Sequence, residues 1–240
     1  MSPFLTAKWW NLINITYAVP PELLLPHVPK GVELDVQDGK AFVSLVAFDF
    51  LDTRVKGLPI PFHVNFPEIN LRYYLKYKGK RGVAFLREFV PRFCIAFVAN
   101  RLYNEPYKKA QMASSSTPDG DLIRIEHDFS YKGKRHGISV TVKNVLHTPE
   151  ENTLAHYFKE HDIGFGMTHG GKTLCYDVTH PKWRVYEWVD CTLDVDFGHL
   201  YGEQWAFLAD ARPHCSLVAE GSEIAVYPPY SLAELDAKLK

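Results

Sequence analysis

The stretch Glu68-Ile69-Asn70-Leu71-Arg72-Tyr73-Tyr74-Leu75-Lys76-Tyr77 alternates with a period of two. Ile69, Leu71, Tyr73 and Leu75 fall on one face; Glu68, Asn70, Arg72, Tyr74 and Lys76 fall on the other. A β-strand separates side chains in this way, whereas a helix groups positions three and four apart. The turn Lys78-Gly79-Lys80-Arg81-Gly82 leads into a second apolar run at 83–89, so the segment predicts a hairpin.

The same signals recur along the chain. A β-rich run at 41–50 follows the turn Gln37-Asp38-Gly39. A second hairpin joins 122–130 to 137–145, and further strands are expected at 172–178, 183–195, 215–220 and 223–227. Short strands punctuated by turns predict an antiparallel barrel or sandwich, a mainly β (α+β) fold with a few short helices. Pro20 and Pro21 start a short helix, and Pro91 opens a buried one over 91–103. Thr148-Pro149-Glu150-Glu151 combines a cap, a first-turn proline and a capping-box glutamate, so a helix is expected over 148–161. A short helical turn is expected near 200–207. The Ser-rich segment 113–120 is linker-like, and the glycines of 164–172 suggest a flexible loop, a candidate lid. No repeat divides the chain, and residues 1–240 read as one domain.

The 240 residues carry a formal net charge of −1, which gives no global attraction to nucleic acid or to an anionic membrane. Aromatic residues make up 14%, enough for a large apolar interior or pocket. The four cysteines form no Cys-x-x-Cys pair and read as reduced thiols. Neither a signal peptide nor an apolar run of membrane-spanning length is present, so a cytoplasmic protein is expected. The eleven histidines are scattered without metal-ligand spacing, so they read as surface and capping residues and no metal site is expected.

Two constellations could carry chemistry. Glu68, Asn70 and Arg72 share one strand face over about 13 Å. Facing inward, Glu68 could move a proton and Arg72 could grip a carboxylate; facing outward, the three are the wet side of a hairpin. The second constellation is Tyr103-Asn104-Glu105-Pro106-Tyr107-Lys108-Lys109. An ammonium beside another loses its proton more readily, and a neutral lysine amine can form a Schiff base with a carbonyl. On the surface, the same pair is a solvated face.

The chain resembles the uncharacterised YqjF-like family, grouped with acetoacetate-decarboxylase-like proteins. The resemblance rests on Trp10-Asn11-Leu12, Pro29-Lys30-Gly31-Val32-Glu33-Leu34-Asp35 and Asp38-Gly39-Lys40-Ala41-Phe42-Val43-Ser44-Leu45-Val46. It continues through Pro59-Ile60-Pro61-Phe62-His63, Phe66-Pro67-Glu68-Ile69-Asn70-Leu71-Arg72-Tyr73, Phe85-Leu86-Arg87-Glu88, Leu102-Tyr103-Asn104-Glu105-Pro106-Tyr107 and Ala219-Glu220-Gly221-Ser222. It implies a curved antiparallel β-barrel around a largely apolar cavity. In the decarboxylases a Gly-Phe-Pro-Lys-Lys motif supplies the Schiff-base lysine. Aligned on the lysines, Lys108 is the nucleophile here and Lys109 its activator; aligned on Pro106, Tyr107 takes that place and the decarboxylase chemistry is lost. Glu68 resembles the decarboxylases' cavity-facing strand glutamate. The expected function is that of a cofactor-free Schiff-base lyase on a β-keto acid or related carbonyl acid, with Lys108, Lys109 and Glu68 catalytic. Arg72, Asn70, Tyr103, Tyr107 and His63 form the candidate ligand-binding set. The alternative is a non-catalytic protein binding a small organic ligand. Oligomeric state is open, a homo-oligomer included.

Overall fold

Both predicted hairpins close through a two-residue turn with positive φ at each position, Lys78–Gly79 at 47° and 81° and Lys132–Gly133 at 46° and 82°. That conformation matches the right-handed twist of the strands it joins, and glycine adopts it at no steric cost.

The computed structural model describes residues 2–91, 106–151, 153–159, 161–168 and 170–239. Its strands are β1 (Leu5–Val19), β2 (Glu33–Leu34), β3 (Ala41–Val55), β4 (Leu58–Pro59), β5 (Phe66–Tyr77), β6 (Lys80–Val90), β7 (Tyr107–Lys109) and β8 (Gln111–Asp119). They continue with β9 (Leu122–Tyr131), β10 (Lys134–His147), β11 (Ile163–Met167), β12 (Thr173–Thr179), β13 (Val185–Asp194), β14 (Cys215–Val226) and β15 (Tyr230–Ser231). The described helices are α1 (Leu154–Lys159), α2 (Phe197–Tyr201) and α3 (Leu232–Lys238), with short 3-10 turns at Pro21–Leu23, Leu25–His27 and Glu203–Ala209.

Strand pairing closes two rings that share a wall. In the first, β1, β3, β5 and β6 are joined in order; β7 pairs parallel to β6, and the chain runs on through Ala110 into β8. From there β9, β10, β13 and β14 lead back to β1. In the second, β11 pairs parallel to β6 at Gly164↔Val83, β12 pairs with β11, and β12 returns to β14 at Val178↔Val226. The sheet β14-β1-β3-β5-β6 therefore has two covered faces.

The alternation of β5 divides these faces. Ile69, Leu71, Tyr73 and Leu75 join Ile13, Ile15, Val43, Leu45, Ile125, Phe129 and Val140 in a filled core inside the first ring. The polar residues of β5 lie on the opposite face with Leu12, Val46, Phe48, Phe50, Phe66 and Trp183. That face is the cavity side.

Several elements differ from expectation. β1 carries no clean alternation because Asn11, with φ 51°, makes a bulge that shifts the register between Trp10 and Ile13. The linker-like segment is β8, paired in unbroken register from Gln111↔Ser130 to Asp119↔Leu122. Ser115, Ser116 and Thr117 reach solvent there, Ser114 donates to Asp49, and the backbone supplies the pairing. The helix expected over 148–161 is only α1, entered at Thr153, whose Oγ1 accepts from the His156 N–H at 3.3 Å. Within the expected loop 164–172, residues 164–167 belong to β11. A Cβ at Gly164 would overlap the Tyr176 ring, so glycine is needed there for close approach. The two expected strands at 215–227 are one, β14, bent at Gly221 (φ 82°) opposite Trp10. α3 is a further helix, held by a capping box of Ser231 and Glu234. The expected helix over 91–103 lies outside the described residues apart from Pro91. Among the described residues no helix is long and apolar enough to cross a membrane.

Candidate functional site

A cavity of about 230 Å³ lies between the shared wall, β11, β12 and α1. Phe48, Phe50, Phe66, Trp9, Trp183, Val178 and Val226 make most of its wall, and Glu68, Asn70, Arg72, Glu88, Tyr107, Lys159 and His161 make one polar end. The polar residues arrive on several supports. Glu68, Asn70 and Arg72 stand at alternate positions of β5, and Glu88 is the β6 partner of Asn70. Tyr107 comes from β7, and Lys159 is the last residue of α1.

Glu68 is 3% exposed and Glu88 1%. The Glu68 carboxyl accepts from Asn70 Nδ2 at 3.0 Å and from the Tyr107 hydroxyl at 3.0 Å, and it is hydrogen-bonded to Glu88. Burial disfavours its charged form and pushes it up to about 7, against the opposing pull of these hydrogen bonds. Two buried carboxyls in hydrogen-bond contact share a proton most readily, so the pair can donate or accept one near neutrality.

Arg72 is only 9% exposed, and its Nη2 donates to the Phe158 carbonyl at 2.6 Å. Asn14 Nδ2 donates to the same carbonyl at 3.2 Å. Two buried side chains of the shared wall thus fix the end of α1, and with it the backbone of Lys159, a side chain only 2% exposed. The Tyr157 hydroxyl adds a bond to Asp35 at 2.7 Å, and Asp35 also pairs with Arg81 at 3.0 Å. His161 packs on Tyr74 at 4.9 Å, and burial, with Arg72 nearby, holds its imidazole well below the ordinary histidine range. It is therefore neutral, able to donate through one nitrogen and accept through the other.

The sequence-predicted residues separate into two groups. Glu68, Asn70, Arg72, Tyr107 and His63 all line the cavity. Lys108 and Lys109 do not: both are exposed on β7. Successive strand side chains point to opposite faces, so when Tyr107 turns toward Glu68 its neighbour Lys108 turns to solvent. Lys109 lies one step further along, opposite Val90, with its side chain in water. Tyr103 lies outside the described residues. Glu88, Lys159, His161, Trp9, Thr53 and Trp183 were not singled out from the sequence. The histidine reading also needs correction, since His127 and His136 are buried. Among the described residues no group of three or more His, Cys, Asp or Glu side chains is placed to hold a metal ion.

A family model described as an uncharacterised conserved protein (COG2071), DUF2071, matches residues 6–223. The chain belongs to the DUF2071 family. This DUF2071 protein is 28% identical over 185 residues to the uncharacterised protein YqjF of Bacillus subtilis (strain 168), covering 74% of this chain and 73% of YqjF. Its fold is similar to that of the enduracididine biosynthesis enzyme MppR complexed with pyruvate, with TM-score 0.68 at 14% identity over 97% of this chain and 91% of MppR. It is also similar to acetoacetate decarboxylase from Legionella pneumophila, with TM-score 0.63 at 14% identity over 96% of this chain and 87% of that enzyme. The DUF2071 chain therefore has an acetoacetate-decarboxylase-like fold.

Proposed function

We propose that this protein is a cofactor-free enzyme acting on a small carbonyl compound, with Lys159 as the condensing amine and Glu68 with Glu88 as the proton-handling pair. The observation that carries this is the sharing of one apolar cavity by a buried lysine and a buried carboxyl pair poised near neutral pH. An amine held out of bulk water in the same cavity as a proton carrier is the arrangement that imine formation needs. Further support comes from the neighbouring fold of MppR, seen with pyruvate, although the chemistry there belongs to that protein.

In the proposed step Lys159 Nζ attacks the carbonyl carbon and a C–N bond forms. The carbonyl oxygen leaves as water, taking one hydrogen from the amine and one proton from the carboxyl pair. The iminium that remains can accept the electrons of an adjacent C–C or C–H bond; in a β-keto acid the carboxylate then leaves as carbon dioxide. The carboxyl pair, which has regained a proton from water, donates it to the enamine carbon, and water then hydrolyses the product iminium, releasing the carbonyl product and restoring the Lys159 amine.

The test is borohydride reduction in the presence of pyruvate or acetoacetate, followed by peptide mapping. A mass adduct on the peptide carrying Lys159, absent in Lys159→Met, is the expected result. An adduct on Lys108 or Lys109 would move the chemistry outside the cavity. Binding without any adduct would favour the non-catalytic ligand-binding alternative.

A further inference from the structure

Three residues at the polar end of the cavity bury polar atoms that have no hydrogen-bond partner among the described residues: Arg72 at Nε, His161 at both ring nitrogens and Asn70 at Oδ1. They differ in what they ask of an occupant. The Arg72 Nε–H is a charged donor, and a neutral imidazole keeps one N–H to donate. Asn70 Oδ1 is an acceptor, and it stands two residues nearer Glu68 on β5, about 7 Å from Arg72. The polar end is therefore divided. Acids and acceptors lie toward Glu68 and Glu88, and the donors lie at Arg72 and His161. An anionic group is favoured on the donor side alone.

The two donors share a support. The Arg72 guanidinium lies 5.6 Å from the centre of the Tyr74 ring, and His161 packs on the same ring at 4.9 Å. The Tyr74 hydroxyl is bonded to Ser44 at 2.5 Å and Ser44 to Thr16 at 2.6 Å. Thr16 donates to Asn14 at 2.9 Å, and Asn14 donates to the Phe158 carbonyl, which Arg72 Nη2 also reaches. One guanidinium thus points two ways: Nη2 holds residue 158, and Nε is left for the cavity. His161 lies on the other side of Lys159, two residues on. The chain is tied to the wall before Lys159 by Arg72 and Asn14, and after it the His161 ring makes no such tie.

We infer that Arg72 Nε and a His161 ring N–H form an anion subsite for the acid group of the ligand, and that filling it clasps the chain to the wall on both sides of Lys159. Arg72 then holds residue 158 directly and residue 161 through the ligand. The group that binds also orders the segment that carries the amine, so the ligand class narrows to small carboxylates over neutral carbonyl compounds. The use made of the ordered Lys159 rests on the imine reading above; the subsite and the clasp do not.

The probes are propanoate, which has the acid group and no ketone, and its neutral isostere propanamide, both titrated calorimetrically into the intact protein. Propanoate should bind at least about tenfold more tightly than propanamide, because its bonds to Arg72 and His161 are charge-assisted. At saturating propanoate, amide exchange across 154–159 should slow at least about fivefold. His161→Phe keeps a ring on Tyr74 and removes both nitrogens. It should weaken propanoate about tenfold and abolish the slowing. Its exchange without ligand should stay within about twofold of wild type, since Arg72 and Asn14 still hold the Phe158 carbonyl. Propanoate failing to bind, binding no more tightly than propanamide, or leaving exchange unchanged would overturn the inference, as would wild-type propanoate affinity in His161→Phe. Slowing by propanoate with no borohydride adduct from pyruvate or acetoacetate would sink the Lys159 step and sustain the clasp. An adduct on Lys159 without the slowing would do the reverse.

Discussion

Replacing Glu68 by Gln keeps the shape of the side chain and removes its charge. In the wild-type protein the carboxyl titrates near 7, against an ordinary value of 4.5. A folded state that holds its proton to higher pH than the unfolded chain is most stable, relative to a neutral variant, at low pH. It loses that advantage as pH rises from about 4.5 and levels off above about 7. At 1.36 kcal/mol per unit, the loss between pH 5 and pH 8 is about 2.5 kcal/mol. His27, His127, His136 and His161, all lowered by burial, contribute with the opposite sign in part of this window, but they are present in both proteins and cancel in the difference. Urea unfolding of wild type and Glu68→Gln at half-unit steps from pH 5 to 8 measures that difference. The stability of the variant relative to wild type should rise by about 2.5 kcal/mol across the range. Because Glu68 is hydrogen-bonded to Glu88, the inflection belongs to the pair. A difference independent of pH would mean that Glu68 is already ionised at pH 5, and the cavity would not be the dry site described above.

Three further outcomes follow from the same geometry. Tyr107→Phe removes a bond that favours the ionised carboxylate, so the Glu68 inflection should move to higher pH in the same unfolding series. Arg72→Met keeps the apolar stem but leaves the Phe158 carbonyl to Asn14 alone; it should cost about 2 kcal/mol and speed amide exchange across 154–159. Gly164→Ala forces a methyl into the Tyr176 ring and should destabilise by about 3 kcal/mol or fail to fold, with thermal unfolding as the readout.

The fold was legible wherever side chains alternate without interruption and a two-residue turn carries its own signature, as in β5–β6 and β9–β10. It was illegible where bulges slip the period. Asn11 lets both Trp9 and Leu12 face the cavity, and Asp52 does the same for Phe50 and Thr53. No fixed spacing in the sequence announces these pairs. β8 hid behind its composition, because its strand character comes from backbone pairing with β9. The alternation of β5 puts Glu68, Asn70 and Arg72 on one face, and the direction of that face is set by the second ring that covers it. The lysine pair lies outside the cavity because β7 presents Tyr107 to Glu68 and leaves both Lys108 and Lys109 exposed. The buried lysine lies instead some fifty residues on, at the end of α1, where its one local signal was a short apolar helix ending in Lys159.

The most direct measurement is the crystal structure of the protein reduced with borohydride in the presence of pyruvate. The account predicts continuous density from Lys159 Nζ to the ligand C2 inside the cavity, with the Glu68–Glu88 pair turned toward the new bond. Density on Lys108 or Lys109, or a ligand-free cavity with an adduct elsewhere, would contradict it.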